Sequence, residues 1–117
     1  MRKAIDFIVP RLDVERRPER EPLSKLWQEF LGDAGLQLEA STLRNYRRTR
    51  ELMCGPGKLS DYPSPREVAA WLSRMRASGM KPGTVRLHRD NAHHLYRYSN
   101  ATGAAVGNPV ARCPWRS

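Results

Sequence analysis

The side chains in this 117-residue chain that could do covalent or metal chemistry belong to four tyrosines, three histidines and two cysteines. A tyrosine nucleophile needs neighbouring groups that activate its hydroxyl. The sequence shows no constellation of Arg, His and Lys that would do so, and Tyr46 and Tyr96 fall where a helix would bury them. We therefore interpret the tyrosines as structural and predict no catalytic residues and no enzymatic activity. They are Tyr46, Tyr62, Tyr96 and Tyr98.

The histidines and cysteines could suggest zinc, which is often bound by two ligands four residues apart on one helical face. His88, His93 and His94 lack that spacing, and Cys54 and Cys113 form no CxxC pair. We predict no metal and no cofactor. Without a signal peptide or a long apolar run, we expect free thiols in a cytoplasmic protein that has neither a membrane partner nor a small-molecule substrate.

The remaining chemistry in the sequence is cationic. Twenty-one Lys and Arg stand against twelve Asp and Glu, a net charge of +9, which favours a polyanionic partner such as nucleic acid. The charge is unevenly placed: residues 22–40 hold one lysine and three acids, whereas residues 41–53 hold four arginines and one glutamate. From residue 81 onward, six basic residues are balanced by Asp90 alone. Positive charge is thus predicted on the later helices.

Apolar residues at three- and four-residue spacing predict a first helix over residues 23–33. A second helix is predicted to begin at Ser41 or Thr42, either of which could accept a hydrogen bond from the free amides of the first turn. Arg44, Arg47 and Arg48 would then face outward. The stripe that this helix would bury consists of Leu43, Tyr46, the aliphatic stem of Arg50 and Met53.

The third helix has the clearest start signal in the sequence. Ser64 can act as the cap, Pro65 suits the first helical position, and Glu67 can complete a capping box. Gly79 is the expected stop. The apolar face is predicted to contain Val68, Ala69, Trp71, Leu72 and Met75.

Residues 79–98 predict the fourth and central helix. Pro82 fits the first turn, where a missing N–H costs nothing, and Thr84 could accept from the first free amides. Helical periodicity divides the segment into a packing face and a mostly cationic face. The predicted packing face is Val85, His88, Ala92, Leu95, Tyr96 and Ser99, and the predicted outer face is Arg86, Asp90, His93 and Arg97.

No segment alternates convincingly enough to predict a strand. The prediction is therefore an all-α protein, a compact bundle of four helices over residues 23–108. Three prolines and mixed charges over residues 1–22 predict a flexible N-terminal arm. Residues 109–117 are predicted to be a flexible linker or tail.

Several short motifs, in this order, resemble the N-terminal core-binding domain of tyrosine recombinases, the phage integrase family. They are TLRNYRR at residues 42–48, PREV at 65–68, GMKPGTV at 79–85, LYRY at 95–98 and NP at 108–109. The resemblance covers about residues 23–109 and implies an orthogonal, SAM-like four-helix bundle. In that family the domain forms a clamp around double-stranded DNA together with a separate catalytic domain.

The resemblance implies a role in DNA integration and recombination, with the second and fourth helices against the DNA. Too few residues follow Pro109 to hold the family's catalytic groups, so we expect no recombination by this chain alone. The DNA-contacting residues that the resemblance implies are Arg44, Arg47, Arg48, Lys81, Thr84, Arg86, Arg89, His93 and Arg97. The corner from residue 81 to 86 is also a phosphate candidate because helix N-termini attract anions.

Two other functions remain open from the sequence. The bundle could be a protein-interaction module that docks on another recombinase subunit, with its charge only aiding solubility. RNA binding is the weaker alternative, because the chain lacks the glycine-aromatic strands of common RNA modules. The salt dependence of duplex binding distinguishes the DNA and protein hypotheses.

Overall fold

The computed structural model describes residues 21–35 and 37–115. They contain α1 (Leu23–Ala34), α2 (Ala40–Met53), α3 (Pro65–Ala77) and α4 (Pro82–Thr102), and no strand occurs among these described residues. The predicted all-α class with four helices is therefore confirmed. Residues 1–20 of the arm predicted for residues 1–22 lie outside the described residues.

The longest helix, α4, is the centre of the bundle. It packs against α1, α2 and α3, and α1 also packs against α2. Each helix contributes large apolar side chains to one continuous core, because each has one apolar stripe that only a neighbour can shield from water. The fully buried members include Trp27, Met53, Val68, Leu72, Val85 and Leu95.

The start of α3 has the predicted capping box. The Glu67 backbone N–H donates to Ser64 Oγ at 3.1 Å, and the Ser64 N–H donates to Glu67 Oε1 at 3.2 Å, with Pro65 in the first turn. Trp71 Nε1 donates to the Leu52 carbonyl at 3.0 Å, which links α3 to the end of α2. The apolar face packs as expected, with Ala69 half-buried.

Two predictions for α2 are wrong. The helix begins at Ala40 with Glu39 as its cap residue, and no side chain caps it, so Ser41 and Thr42 lie within the first turn. The position buried between Tyr46 and Met53 is Thr49, and Arg50 is exposed. Thr49 can be buried at this position because its hydroxyl has hydrogen-bond partners inside the bundle. A buried guanidinium group would lose its hydration.

The predicted packing face of α4 is confirmed, since all six of its residues are buried. Pro82 lies in the first turn, and Gly103 ends the helix in the left-handed conformation at φ 84°. The predicted cap is wrong: Lys81 is the cap residue, the helix has no side-chain cap bond, and Thr84 is exposed within the first turn. Pro82 already removes one of the free N–H donors that a cap would satisfy.

The described part of the C-terminal segment packs onto the bundle. Val110 is 0% exposed and belongs to the core, and Cys113 and Trp115 pack against that core. Cys54 and Cys113 are free thiols. The division into arm, bundle and tail stays a prediction, but the core itself extends beyond the expected boundary at residue 108.

Candidate nucleic-acid interface

The outer surface of α2 carries three exposed arginines, Arg44, Arg47 and Arg48, as the sequence predicted. They face outward because Thr49 and Met53 turn the opposite side of the helix into the core. Arg48 Nη1 lies 3.4 Å from Glu51 Oε1, with both side chains 59% exposed. Such an exposed ion pair holds its members only weakly, so Arg48 can exchange Glu51 for an external anion.

Polar contacts join α2 to α4, and they are buried at Thr49 and exposed at Tyr46. Thr49 Oγ1 lies 2.7 Å from His88 Nδ1 and accepts from Asn91 Nδ2 at 3.0 Å. One turn earlier on α2, Tyr46 Oη lies 3.2 Å from His94 Nδ1. Lower numbers on α2 thus pair with higher numbers on α4, so the two helices run antiparallel. We call this contact line the α2–α4 seam.

Arg48 lies beside this seam. Burial lowers the pKa of His88, and the charge of Arg48 lowers it further. Both effects disfavour the imidazolium form, since burial removes its hydration and a nearby cation repels it. His88 is therefore neutral at pH 7, and the positive charge of this region belongs to the arginines.

A second basic group lies on the outer flank of α4, where Arg89, His93 and Arg97 follow one another at four-residue spacing. Arg89 Nη1 lies 3.6 Å from Asp90 Oδ1. The pKa of His93 is lowered by burial and by the neighbouring charges of Arg97, His94 and Arg89, which outweigh the opposite effect of Asp90. Both arginines of this flank are thus close enough to His93 to lower its pKa.

The start of α4 exposes the remaining candidates, Lys81, Thr84 and Arg86. At about 100° per residue, Thr84 shares a flank with Asn91, which touches α2, whereas Arg86 lies about 160° around the helix from Thr84. Arg86 instead shares the flank of His93. The structure therefore brings Arg48 and Thr84 toward the α2–α4 seam and leaves Arg86, Arg89, His93 and Arg97 together on the outer flank of α4.

Sequence reasoning missed two residues of this region. Thr49 was overlooked because a threonine between arginines gives no sign of burial. Asn108 enters the sequence analysis only through the NP motif at residues 108–109, yet its Nδ2 lies 3.0 Å from His93 Nδ1. An Asn-Pro pair signals a turn, but nothing local tells which helix that turn will touch.

Three carboxylates lie together in a groove away from the α2 arginines. A groove of about 680 Å³ between α1 and the last turn of α4 is lined by the carboxylates of Glu21, Glu29 and Asp33, with Lys25 as its one basic residue. In this groove the Tyr98 hydroxyl donates a hydrogen bond to Asp33 Oδ2. This acidic groove would repel a polyanion, so a nucleic acid is better accommodated on α2 and α4.

Within residues 21–35 and 37–115, no group of three or more His, Cys, Asp and Glu side chains is placed to hold a metal ion. None of the described helices combines the length and the apolar character needed to cross a bilayer. Comparison with protein-family models, curated proteins and solved structures finds no match for this chain. The resemblance to recombinase core-binding domains therefore stays a prediction.

Proposed function

We propose that the protein is a double-stranded DNA-binding module, related in role to the core-binding half of a tyrosine recombinase. The observation that carries the proposal is the pair of exposed basic surfaces, the arginines of α2 and the outer flank of α4, while three carboxylates gather in the groove beside α1. A major groove admits an α-helix, and arginine can contact both phosphates and guanine edges. Most of the affinity would come from the phosphate backbone.

The module would bind DNA without cutting it. Tyr46 Oη lies 3.2 Å from His94 Nδ1, but burial raises the pKa of the Tyr46 hydroxyl and makes the nucleophilic phenolate less accessible. Incubation with duplex substrates should therefore yield no strand cleavage. A phosphotyrosyl adduct on any tyrosine would contradict this part of the proposal.

The salt dependence of duplex binding tests the proposal directly. A labelled duplex is titrated with protein at several salt concentrations, and binding is followed by fluorescence anisotropy. If about five phosphates are neutralised, the logarithm of the binding constant should fall with the logarithm of salt concentration at a slope near −4 to −5. A flat response would rule out backbone recognition.

The second candidate function is a helical protein-interaction module that docks on another recombinase subunit. The acidic groove favours it, because three carboxylates suit a basic protein surface better than any nucleic acid. For this alternative, a Glu29→Gln and Asp33→Asn double variant should lose subunit binding and keep the wild-type duplex affinity. The DNA-binding proposal predicts no loss of duplex binding in that variant.

A further inference from the structure

The side chain of Asn108 joins the turn after α4 to the outer flank of that helix. Its Oδ1 accepts from the backbone N–H groups of Val110 at 3.0 Å and Ala111 at 3.1 Å. Two backbone donors at one atom identify that atom as the oxygen, because an amide nitrogen cannot accept their hydrogen bonds. The amide nitrogen of Asn108 must then be the atom that faces His93 Nδ1 at 3.0 Å.

This orientation determines where His93 carries its proton. An amide NH₂ only donates, so His93 Nδ1 must accept, and the neutral ring keeps its proton on Nε2. The charged or titratable groups that act on the ring are Arg97, His94, Arg89 and Asp90 on α4, and the turn contributes the uncharged Asn108. Burial and three cationic or protonatable neighbours lower the pKa of His93 against Asp90 alone, which agrees with a neutral ring.

His93 lies between two arginines on one flank of α4, and both arginines lower its pKa. Arg89, His93 and Arg97 are each separated by one helical turn, a rise of about 6 Å. Within the described part of the chain, no side chain or backbone group hydrogen-bonds His93 Nε2. The flank therefore presents a neutral N–H donor between two permanent cations.

We propose that His93 binds the DNA backbone as a neutral donor through Nε2–H, and that Asn108 is the positioning residue that fixes this tautomer. The inference rests on the proposed function and adds a role for the turn after α4. A neutral contact neutralises no phosphate and takes up no proton. It strengthens binding without contributing to the salt slope, whereas each arginine contact does contribute to it.

Nitrogen NMR of the histidine rings tests the tautomer in the free protein and in its duplex complex. We expect Nε2 of His93 to carry the only ring proton in both samples at pH 7. In Asn108→Ala the Nδ1 acceptor loses its donor, so the ring should titrate at higher pH than in the wild type. A protonated Nδ1 in the wild-type complex would overturn the inference.

A matched pair of substitutions tests the contact. Asn at position 93 can keep an acceptor near Asn108 but lacks the Nε2 donor, so His93→Asn should weaken duplex binding about tenfold and leave the salt slope unchanged. Gln offers an amide donor near the Nε2 position, so His93→Gln should recover part of the affinity. Arg97→Ala is the comparison, with a slope reduced by about one unit. Wild-type affinity in His93→Asn, or a slope reduced as in Arg97→Ala, would overturn the inference.

Asn108→Asp separates positioning from a purely structural role. A carboxylate still accepts from Val110 and Ala111 but favours a proton on His93 Nδ1, so the ring becomes cationic more easily. As the pH falls from about 8 to about 6, duplex affinity should then rise more steeply in the variant than in the wild type. Identical pH profiles would overturn the role of Asn108.

The outcomes also separate this inference from the proposed function. If the wild type binds no duplex, the proposed function fails as well. A wrong tautomer in a protein that binds duplex overturns this inference alone.

Discussion

At the scale of single residues, one hydroxyl organises the α2–α4 seam. Thr49 Oγ1 is placed to donate to the Asn45 carbonyl at 3.1 Å and also contacts His88 and Asn91. It has a single proton, so when that proton goes to Asn45, His88 Nδ1 must carry its own. Because Thr49 is 0% exposed, water cannot replace these bonds, and the seam fixes how α2 sits on α4.

Thr49→Val should therefore destabilise the fold. The substitution keeps the shape of the side chain but leaves two buried donors or acceptors without a partner, which should lower the free energy of unfolding by about 1 to 3 kcal/mol. Chemical denaturation measures this. The matched control is Thr84→Val, at an exposed position of α4, which should change the stability by less than about 0.5 kcal/mol. Equal losses in the two variants would show that the seam bonds do not matter.

The exposed arginines should behave in the opposite way. Arg44→Ala, Arg48→Ala and Arg86→Ala should each weaken duplex binding with little change in melting temperature, because exposed charges contribute little to folding. Loss of a phosphate contact should also reduce the salt slope by about one unit. Anisotropy titrations and thermal melts measure the two effects.

The control for these variants is Lys25→Ala, a lysine on the acidic side of α1. It should leave duplex affinity almost unchanged. If it weakens binding as much as Arg48→Ala does, the DNA lies on another face of the bundle.

At the scale of elements, the four helices begin in different ways. Only α3 of the described helices has a side-chain cap. The cap residues of α1, α2 and α4 are Pro22, Glu39 and Lys81, and none of them makes a side-chain cap bond. The isolated α3 segment therefore has the best local start signal, and the other helices depend more on tertiary packing. This matters for function, since the two proposed DNA-binding helices owe their position to the α2–α4 seam.

Ser64→Ala should remove the cap of α3 and lower the free energy of unfolding by about 1 kcal/mol. Ser73→Ala is the matched control, because Ser73 is exposed in the middle of the same helix, where alanine is the better helix former. Urea denaturation should show a loss for the first variant and none for the second. A loss of similar size in both would mean that the capping box contributes nothing.

The same contrast explains what could be predicted from the sequence. Ser64 and Glu67 form a capping box within four residues, so local sequence was sufficient to find it. Whether Thr49 or Arg50 is buried depends on the side chains of α4 across the seam, which lie 39 to 42 residues later in the sequence. The link between Asn108 and His93 likewise depends on how the chain turns after α4, and local spacing does not encode it.

At the scale of the whole molecule, the core does not stop where the last helix does. Val110 fills the core after the glycine-containing turn that follows α4, and Asn108 anchors its backbone. The segment that would lead from this domain to any following one is therefore attached to the flank where His93 lies. A force on that segment would therefore displace Asn108 and alter the position of His93, the proposed DNA contact.

Val110→Ala should test this extension of the core. Removal of two buried methyl groups should lower the free energy of unfolding by about 1 to 2 kcal/mol. Val106→Ala removes the same atoms from a side chain that is 62% exposed and should cost less than about 0.5 kcal/mol. If both valines prove equally dispensable in denaturant titrations, the bundle ends near residue 108 as the sequence suggested.

The acidic groove also has a consequence for how the molecule meets a duplex. With Glu21, Glu29 and Asp33 on one part of the bundle and the arginines of α2 and α4 on others, the protein has a permanent electric dipole moment in addition to its net charge. The electric field of a duplex exerts a torque on this dipole, and the torque turns the acidic groove away from the DNA before contact. Fewer collisions then occur with the wrong face first, and the productive encounter rate should fall as salt screens the torque.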